Sequence, residues 1–158
     1  MKTYQIEDVG EIERIMDTCD ICYVGITDLE GNPYVIPMNF GYQDGVLYLH
    51  SGPTGSCIDM LEKNRRICVT FCTDRELTCQ HPKMACSYRM KAKSIVCRGD
   101  VVFLPDNDLE EKRKALDILM HHYTDQPCGY SDPAVRNVKV WKVKVDRFTA
   151  REYASPSK

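Results

Sequence analysis

Apolar and polar residues alternate along most of this chain, and only a few stretches have the wider apolar spacing of a helix. ICYVGITD (21–28), PYVIPMNFGY (33–42), VLYLH (46–50) and RRICVTFCTD (65–74) are rich in β-branched and aromatic residues and read as strands. YRMKAKSIVCRGDVVFLPD (88–106) reads as one long or bent strand interrupted at Gly99 and ended by Pro105. NVKVWKVKVDRF (137–148) alternates with a one-residue phase slip at Val140-Trp141, as a bulge would produce. Glu30-Gly31-Asn32 predicts a turn, and Asp44-Gly45 supplies the positive φ angles a tight hairpin needs. A short helix is expected from Glu11 to Asp17. Another is expected over PTGSCIDMLEKN (53–64), with Pro53 in its first turn, Cys57, Ile58 and Leu61 on one side and Asn64 as its stop. DNDLEEKRKALDILMHHY (106–123) gives the clearest helix: capping residues first, then Leu109, Leu116, Leu119, Met120 and Tyr123 on one stripe. The tail ASPSK is expected to fray.

Six or so hairpin-linked strands with few helices predict a mainly β fold, an antiparallel barrel with peripheral helices. A doubly wound parallel sheet would need a helix after nearly every strand. The 158 residues suit one domain.

Pro37 has no N–H to give a sheet ladder, so it belongs on an edge, at a bulge, or where something other than a strand occupies the neighbouring position. Protection of an edge strand is the plainer reading. A flat heterocycle held by the free backbone groups of Met38, Asn39 and Phe40 is the functional one. His50-Ser51-Gly52 then ends a strand just before Thr54, Gly55 and Ser56 open a helix. Hydroxyls and unpaired amides therefore gather at a helix N-terminus, as they do in anion sites, although such residues also serve as simple caps.

Charge adds exclusions. With 21 basic and 23 acidic residues the net charge is -2, which gives no electrostatic reason to expect nucleic acid or an anionic membrane as partner. No apolar run approaches the ~20 residues that span a bilayer, and no signal-peptide h-region is seen, so a cytoplasmic protein is expected. The nine cysteines are an odd number and read as free thiols in a reducing compartment. Cys19 and Cys22 have C-x-x-C spacing but do not follow a strand and open a helix. The spacing of Cys72, Cys79, His81 and Cys86 fits no common zinc knuckle, and His121 and His122 point to different sides of a helix, so no metal is predicted.

The order P-x-N-F-G-Y, D-G-x-L-Y-x-H-S and G-x-x-I-D-x-L-x-x-N resembles the split-barrel flavin proteins related to pyridoxamine 5'-phosphate oxidase, most closely their 5-nitroimidazole resistance branch. Cys86-Ser87-Tyr88, Ser94-Ile95-Val96 with Gly99, the helix EEKRKALDILMHHY and Trp141 extend the likeness over most of the chain. The resemblance implies a split barrel and a homodimer with FMN at the subunit interface. It places the flavin ring against Pro37, Met38, Asn39 and Phe40, and His50, Ser51 and Gly52 near the phosphate. Gly55 and Ser56 match the opening of the phosphate-binding helix. Ser94 matches a strand position that approaches the flavin, from its own or the other subunit. His50 is the candidate for a polar catalytic role. The activity implied is two-electron reduction of a small, for example nitroaromatic, substrate. A flavin- or haem-binding carrier or sensor without turnover is the alternative, and a cofactor-free structural domain is a third reading. Ser56-Cys57 stands where relatives carry a basic pair, which leaves FAD open beside FMN. Arg89, Lys91 and Lys93 are candidates to replace the missing charge.

Overall fold

In the computed structural model, which describes residues 2–154, the strands form one antiparallel sheet in the order β3-β2-β6-β7-β8-β5-β4, with β1 also on β8. Its strands are β1 (Lys2–Ile6), β2 (Cys22–Thr27), β3 (Pro33–Met38), β4 (Gly41–Gln43), β5 (Val46–Ser51), β6 (Arg66–Cys79), β7 (Tyr88–Phe103) and β8 (Lys139–Ala154). The helices are α1 (Val9–Asp17), α2 (Ser56–Lys63), α3 (Leu109–His121) and α4 (Asp132–Arg136). The mainly β split-barrel class expected from the sequence is what the chain adopts, although the sheet does not close. β8 is long enough to serve two neighbours along one edge, β5 beside Lys139–Lys144 and β1 beside Ala150–Ala154.

β3 and β4 lie at opposite ends of the strand order yet are joined by only Asn39 and Phe40. So short a link requires the sheet to curl until its two ends meet, and Asn39-Phe40 forms that seam. The concave side encloses a core of Val24, Phe40, Leu47, Leu49, Val69, Phe71, Ile95, Trp141 and their neighbours, with Ile15 and Met16 of α1 and Ile58 and Leu61 of α2 added to it. A second cluster lies on the outer side of β5 and β8, where Val140 and Tyr48 meet Ala115 and Leu116 of α3 and Val135 of α4.

These two clusters correct the reading of Val140-Trp141. Pairing with β5 runs unbroken through both residues, and both are buried because β8 is covered on both faces at this point. The bulge lies further on. Gly99 pairs with Val145 and Arg98 with Arg147, leaving Asp146 extra. Gly99 is obligatory there, since a Cβ would sit 2.5 Å from the Lys144 carbonyl oxygen and 2.7 Å from a Val143 methyl.

Other expectations shift by a few residues. β1 was not anticipated from its mostly exposed Lys2–Ile6, PYVIPMNFGY divides into β3 and β4, and Pro53 precedes α2 rather than opening it. Asp44 and Gly45 do take positive φ, 51° and 79°, in the β4–β5 hairpin, and Asn64 is the C-cap of α2. The buried stripe of α3 includes Lys112, whose ammonium donates to the Val138 carbonyl at 2.8 Å and the Val135 carbonyl at 3.4 Å. Residues 155–158, most of the predicted frayed tail, lie outside the described residues, while Ala154 pairs with Lys2.

Candidate functional site

The register across the sheet brings separate sequence segments together on its convex face. Pro37 faces Tyr23, Tyr23 faces Thr70, Thr70 faces Val96 and Val96 faces Thr149, one row across five strands. One step along, Cys72, Ser94 and Arg151 form the next row. Side chains in such rows share a face. Pro37 and Ser94 therefore lie on one surface, three strands apart and one row along, about 16 Å at ordinary strand spacing and rise. Tyr23 and Val35 on this face are 50% and 62% exposed. The core-forming residues of α1 and α2 pack on the opposite, concave side, α3 contacts β4, β5 and β8, and α4 packs on α3 in the cluster outside β5 and β8. Pro37 itself is exposed on edge strand β3, where its missing N–H leaves no gap in the ladder.

Along the seam the backbone groups are only partly free. Met38 is buried, and its carbonyl accepts the Cys22 thiol at 3.5 Å. Asn39 is exposed. Phe40 is fully buried against Phe71 and His122, with ring centroids 4.9 and 4.3 Å away. Its N–H donates to the Tyr123 hydroxyl at 3.0 Å, and that hydroxyl donates to the Asp20 carbonyl at 2.8 Å. This corrects the expectation of a free amide at Phe40: the end of α3 has taken it. α3 also rests directly on Gly41, where a Cβ would lie 2.6 Å from Leu119 Cα.

The second segment divides as well. Strand alternation sends His50 to the outer face of β5 beside Tyr48, and Ser51 to the inner face with Leu49. Ser51 Oγ accepts the Trp141 indole N–H at 3.0 Å and donates to the Gly52 carbonyl at 2.9 Å. Burial pushes the His50 imidazole below its ordinary value, so it is neutral near pH 7. No hydrogen bond holds its ring among the described residues.

Beyond Gly52, Gly55 takes φ 135°, a conformation that favours glycine, and is the N-cap of α2 without any side-chain cap. Its carbonyl accepts from Ile58 and Asp59, while the Ser56 and Cys57 amides find no acceptor among the described residues. Those two donors and the helix dipole make an anion-accepting end, offset in part by Asp59 in the first turn. Of the cations considered as substitutes for a basic pair, Lys91 is held by Glu76 at 3.0 Å and Lys93 by Glu11 and Asp74, while Arg89 has no ion pair among the described residues. Register adds cations that linear reading did not single out, since Arg98, Arg147 and Arg151 lie on the same convex face.

Among the described residues, surface cavities of about 320 to 650 Å³ have linings that include none of the predicted site residues. A site on an open sheet face is a surface rather than a cavity until something covers it.

An antiparallel sheet that curls until its two ends meet at a proline-led seam defines the split-barrel class. The sequence profile described as pyridoxamine 5'-phosphate oxidase matches residues 8–152, and the chain belongs to that family. A candidate 5-nitroimidazole antibiotic resistance protein from Bacteroides thetaiotaomicron is 57% identical, covering 96% of this chain and 87% of its own, with a TM-score of 0.86. The fold is shared with a FAD-binding protein from Mesorhizobium loti (20% identity, 98% and 100% covered, TM-score 0.67). It is shared also with a FAD- and haem-binding protein from Mycobacterium smegmatis (15% identity, 98% and 76% covered, TM-score 0.82). Among curated proteins none matches the sequence. Among the described residues no helix is long and apolar enough to cross a membrane, and no three His, Cys, Asp or Glu side chains gather as metal ligands.

Proposed function

We propose that this protein is a flavin-dependent oxidoreductase, a homodimer that carries FMN between the bare sheet faces of its two copies and reduces small nitroaromatic compounds. The observation that supports it most is the common surface of Pro37 and Ser94, two residues 57 positions apart in sequence that family resemblance sets against the flavin and that the register aligns on one uncovered face. The exposed seam residue Asn39 and the unpaired Ser56 and Cys57 amides suit the ring edge and the phosphate. The family relationship and the 57% identical relative point the same way.

When bound, the flavin supplies the two-electron chemistry. With a reduced nicotinamide as donor, a nitro group takes up two electrons and two protons, loses one oxygen as water and becomes a nitroso group. The chain binds and orients. The neutral, half-buried His50 borders the phosphate segment and is the candidate polar group there. Ser56-Cys57 in place of a basic pair keeps FAD as the alternative cofactor, and a flavin or haem carrier without turnover as the alternative role.

Anaerobic mixing with reduced nicotinamide, followed by a 5-nitroimidazole, tests the reading. The enzyme bleaches at the flavin bands and recovers its colour as the nitro compound is consumed. A coloured protein that bleaches but is not reoxidised by the nitroimidazole is a carrier, and a haem Soret band or a colourless protein removes the flavin altogether.

A further inference from the structure

Beside the proposed flavin face lies a cavity of about 470 Å³ lined by Asp20, Ile21, Tyr23, Cys72, Thr73 and Arg75, among others. Its place follows from the register. Tyr23 is the cross-strand partner of Pro37 and Cys72 the partner of Ser94, so the cavity touches the neighbours of both residues that the family resemblance sets near the flavin.

Its rim is built by an irregularity in β6. Thr73 pairs with Lys93 and Glu76 with Lys91, so Asp74 and Arg75 both stand opposite Ala92. Bulges re-aim side chains and are frequent beside active sites. Asp74 adopts φ 52°, uncommon for a residue with a side chain, and its carboxylate is pinned by Arg14 at 2.8 Å and Lys93 at 3.5 Å. Arg75, next in the chain, lines the cavity and has no ion pair among the described residues. The floor is fixed by the two residues that follow α3, through the Tyr123 hydroxyl on the Asp20 carbonyl and the His122 ring nitrogen 2.8 Å from the Cys19 carbonyl. One wall is the half-exposed ring of Tyr23.

We propose that this cavity is the substrate subsite, taking a planar heteroaromatic ring against Tyr23 and a two-oxygen substituent, nitro in the reducible case, on the Arg75 guanidinium. Aromatic rings stack on aromatic faces, and a guanidinium presents paired N–H donors to paired oxygens. The inference rests on the flavin reading, because the position between the partners of Pro37 and Ser94 is what makes the subsite productive.

The test uses the purified full chain, with flavin content measured first. 1-Methylimidazole-5-carboxylate, which has the same ring and paired oxygens but cannot be reduced, is titrated by calorimetry, and KM and kcat are measured with a 5-nitroimidazole. Arg75→Gln is expected to weaken carboxylate binding at least tenfold and raise KM with little change in kcat, since the contact is made equally in the ground and transition states. Tyr23→Ala weakens binding, Tyr23→Phe restores it, and Lys83→Gln, which neutralises an exposed cation elsewhere, changes neither. No carboxylate binding by the wild type, or binding to Arg75→Gln within twofold of it, overturns the inference. A preparation without flavin would refute the reading above, and the calorimetric comparison on that same protein would still decide this one.

Discussion

Tyr123→Phe probes the seam with a change of one oxygen atom. The hydroxyl joins three separate segments, accepting from Phe40 N–H at 3.0 Å and donating to the Asp20 carbonyl at 2.8 Å. Phenylalanine keeps the ring and leaves both backbone groups without their partner. The Phe40 amide follows a fully buried side chain, and its loss falls in the range of about 1–3 kcal/mol for an unsatisfied buried group. The Asp20 carbonyl lies nearer solvent, where water replaces the phenol cheaply. A net loss of about 1.5 kcal/mol is expected, which for a chain of this size lowers Tm by about 3–6 °C. Urea unfolding at fixed protein concentration should show a lower midpoint with an unchanged slope, and hydrogen exchange should show faster exchange at Phe40 and its neighbours. A midpoint within error of the wild type, with Phe40 still protected, would show that the phenol does not hold the seam.

Gly99→Ala should be among the most destabilising single changes, because the new methyl meets backbone at 2.5 Å on a bulge that cannot relax; soluble protein with wild-type Tm would disprove the assignment. Glu11, hydrogen-bonded by Arg14 and Lys93, has its carboxyl held down to about 2 from an ordinary 4.5. Its stabilisation is therefore complete above about pH 4.5 and lost as pH falls toward 2, so Glu11→Gln should flatten the stability profile in that window and have its full cost near neutrality, read by denaturation at several pH values. Burial lowers the His50 value, so the folded state disfavours its protonation and stability should fall as pH drops below 6.5. His50→Gln should remove that slope. Val96→Glu puts a carboxylate at the centre of the bare face and should yield monomers by light scattering with loss of flavin in the same preparation. Flavin-loaded dimers of this variant would move the interface elsewhere.

The parts of the fold set by neighbours in sequence were legible in advance. Asp44-Gly45 specified its own hairpin, Asp108 and the apolar stripe specified α3, and Gly99 marked the place where β7 meets an irregular partner. What linear reading misplaced depends on which elements cover which face. Val140-Trp141 imitates a bulge only because two different clusters bury the two sides of β8. Lys112 looks like a solvent residue until α4 and the link from it to β8 bring the Val135 and Val138 carbonyls to it. The candidate site follows the same division. Pro37 announces an edge by its chemistry, but nothing local says that Asn39-Phe40 joins the two ends of the sheet, or that Tyr123, 83 residues away from Phe40, takes its amide. Arg75 and Tyr23 were invisible for the same reason, since their relation to Ser94 and Pro37 exists only in the register.

We propose that two copies of this chain close a flavin between their bare sheet faces. Native mass spectrometry of the untagged protein, followed by denaturation in the same instrument, measures that directly. The expected species is a dimer heavier than two chains by two flavin molecules, which are released intact, as FMN, when the chains unfold. A monomer, or a dimer whose mass is that of the two polypeptides alone, would contradict it.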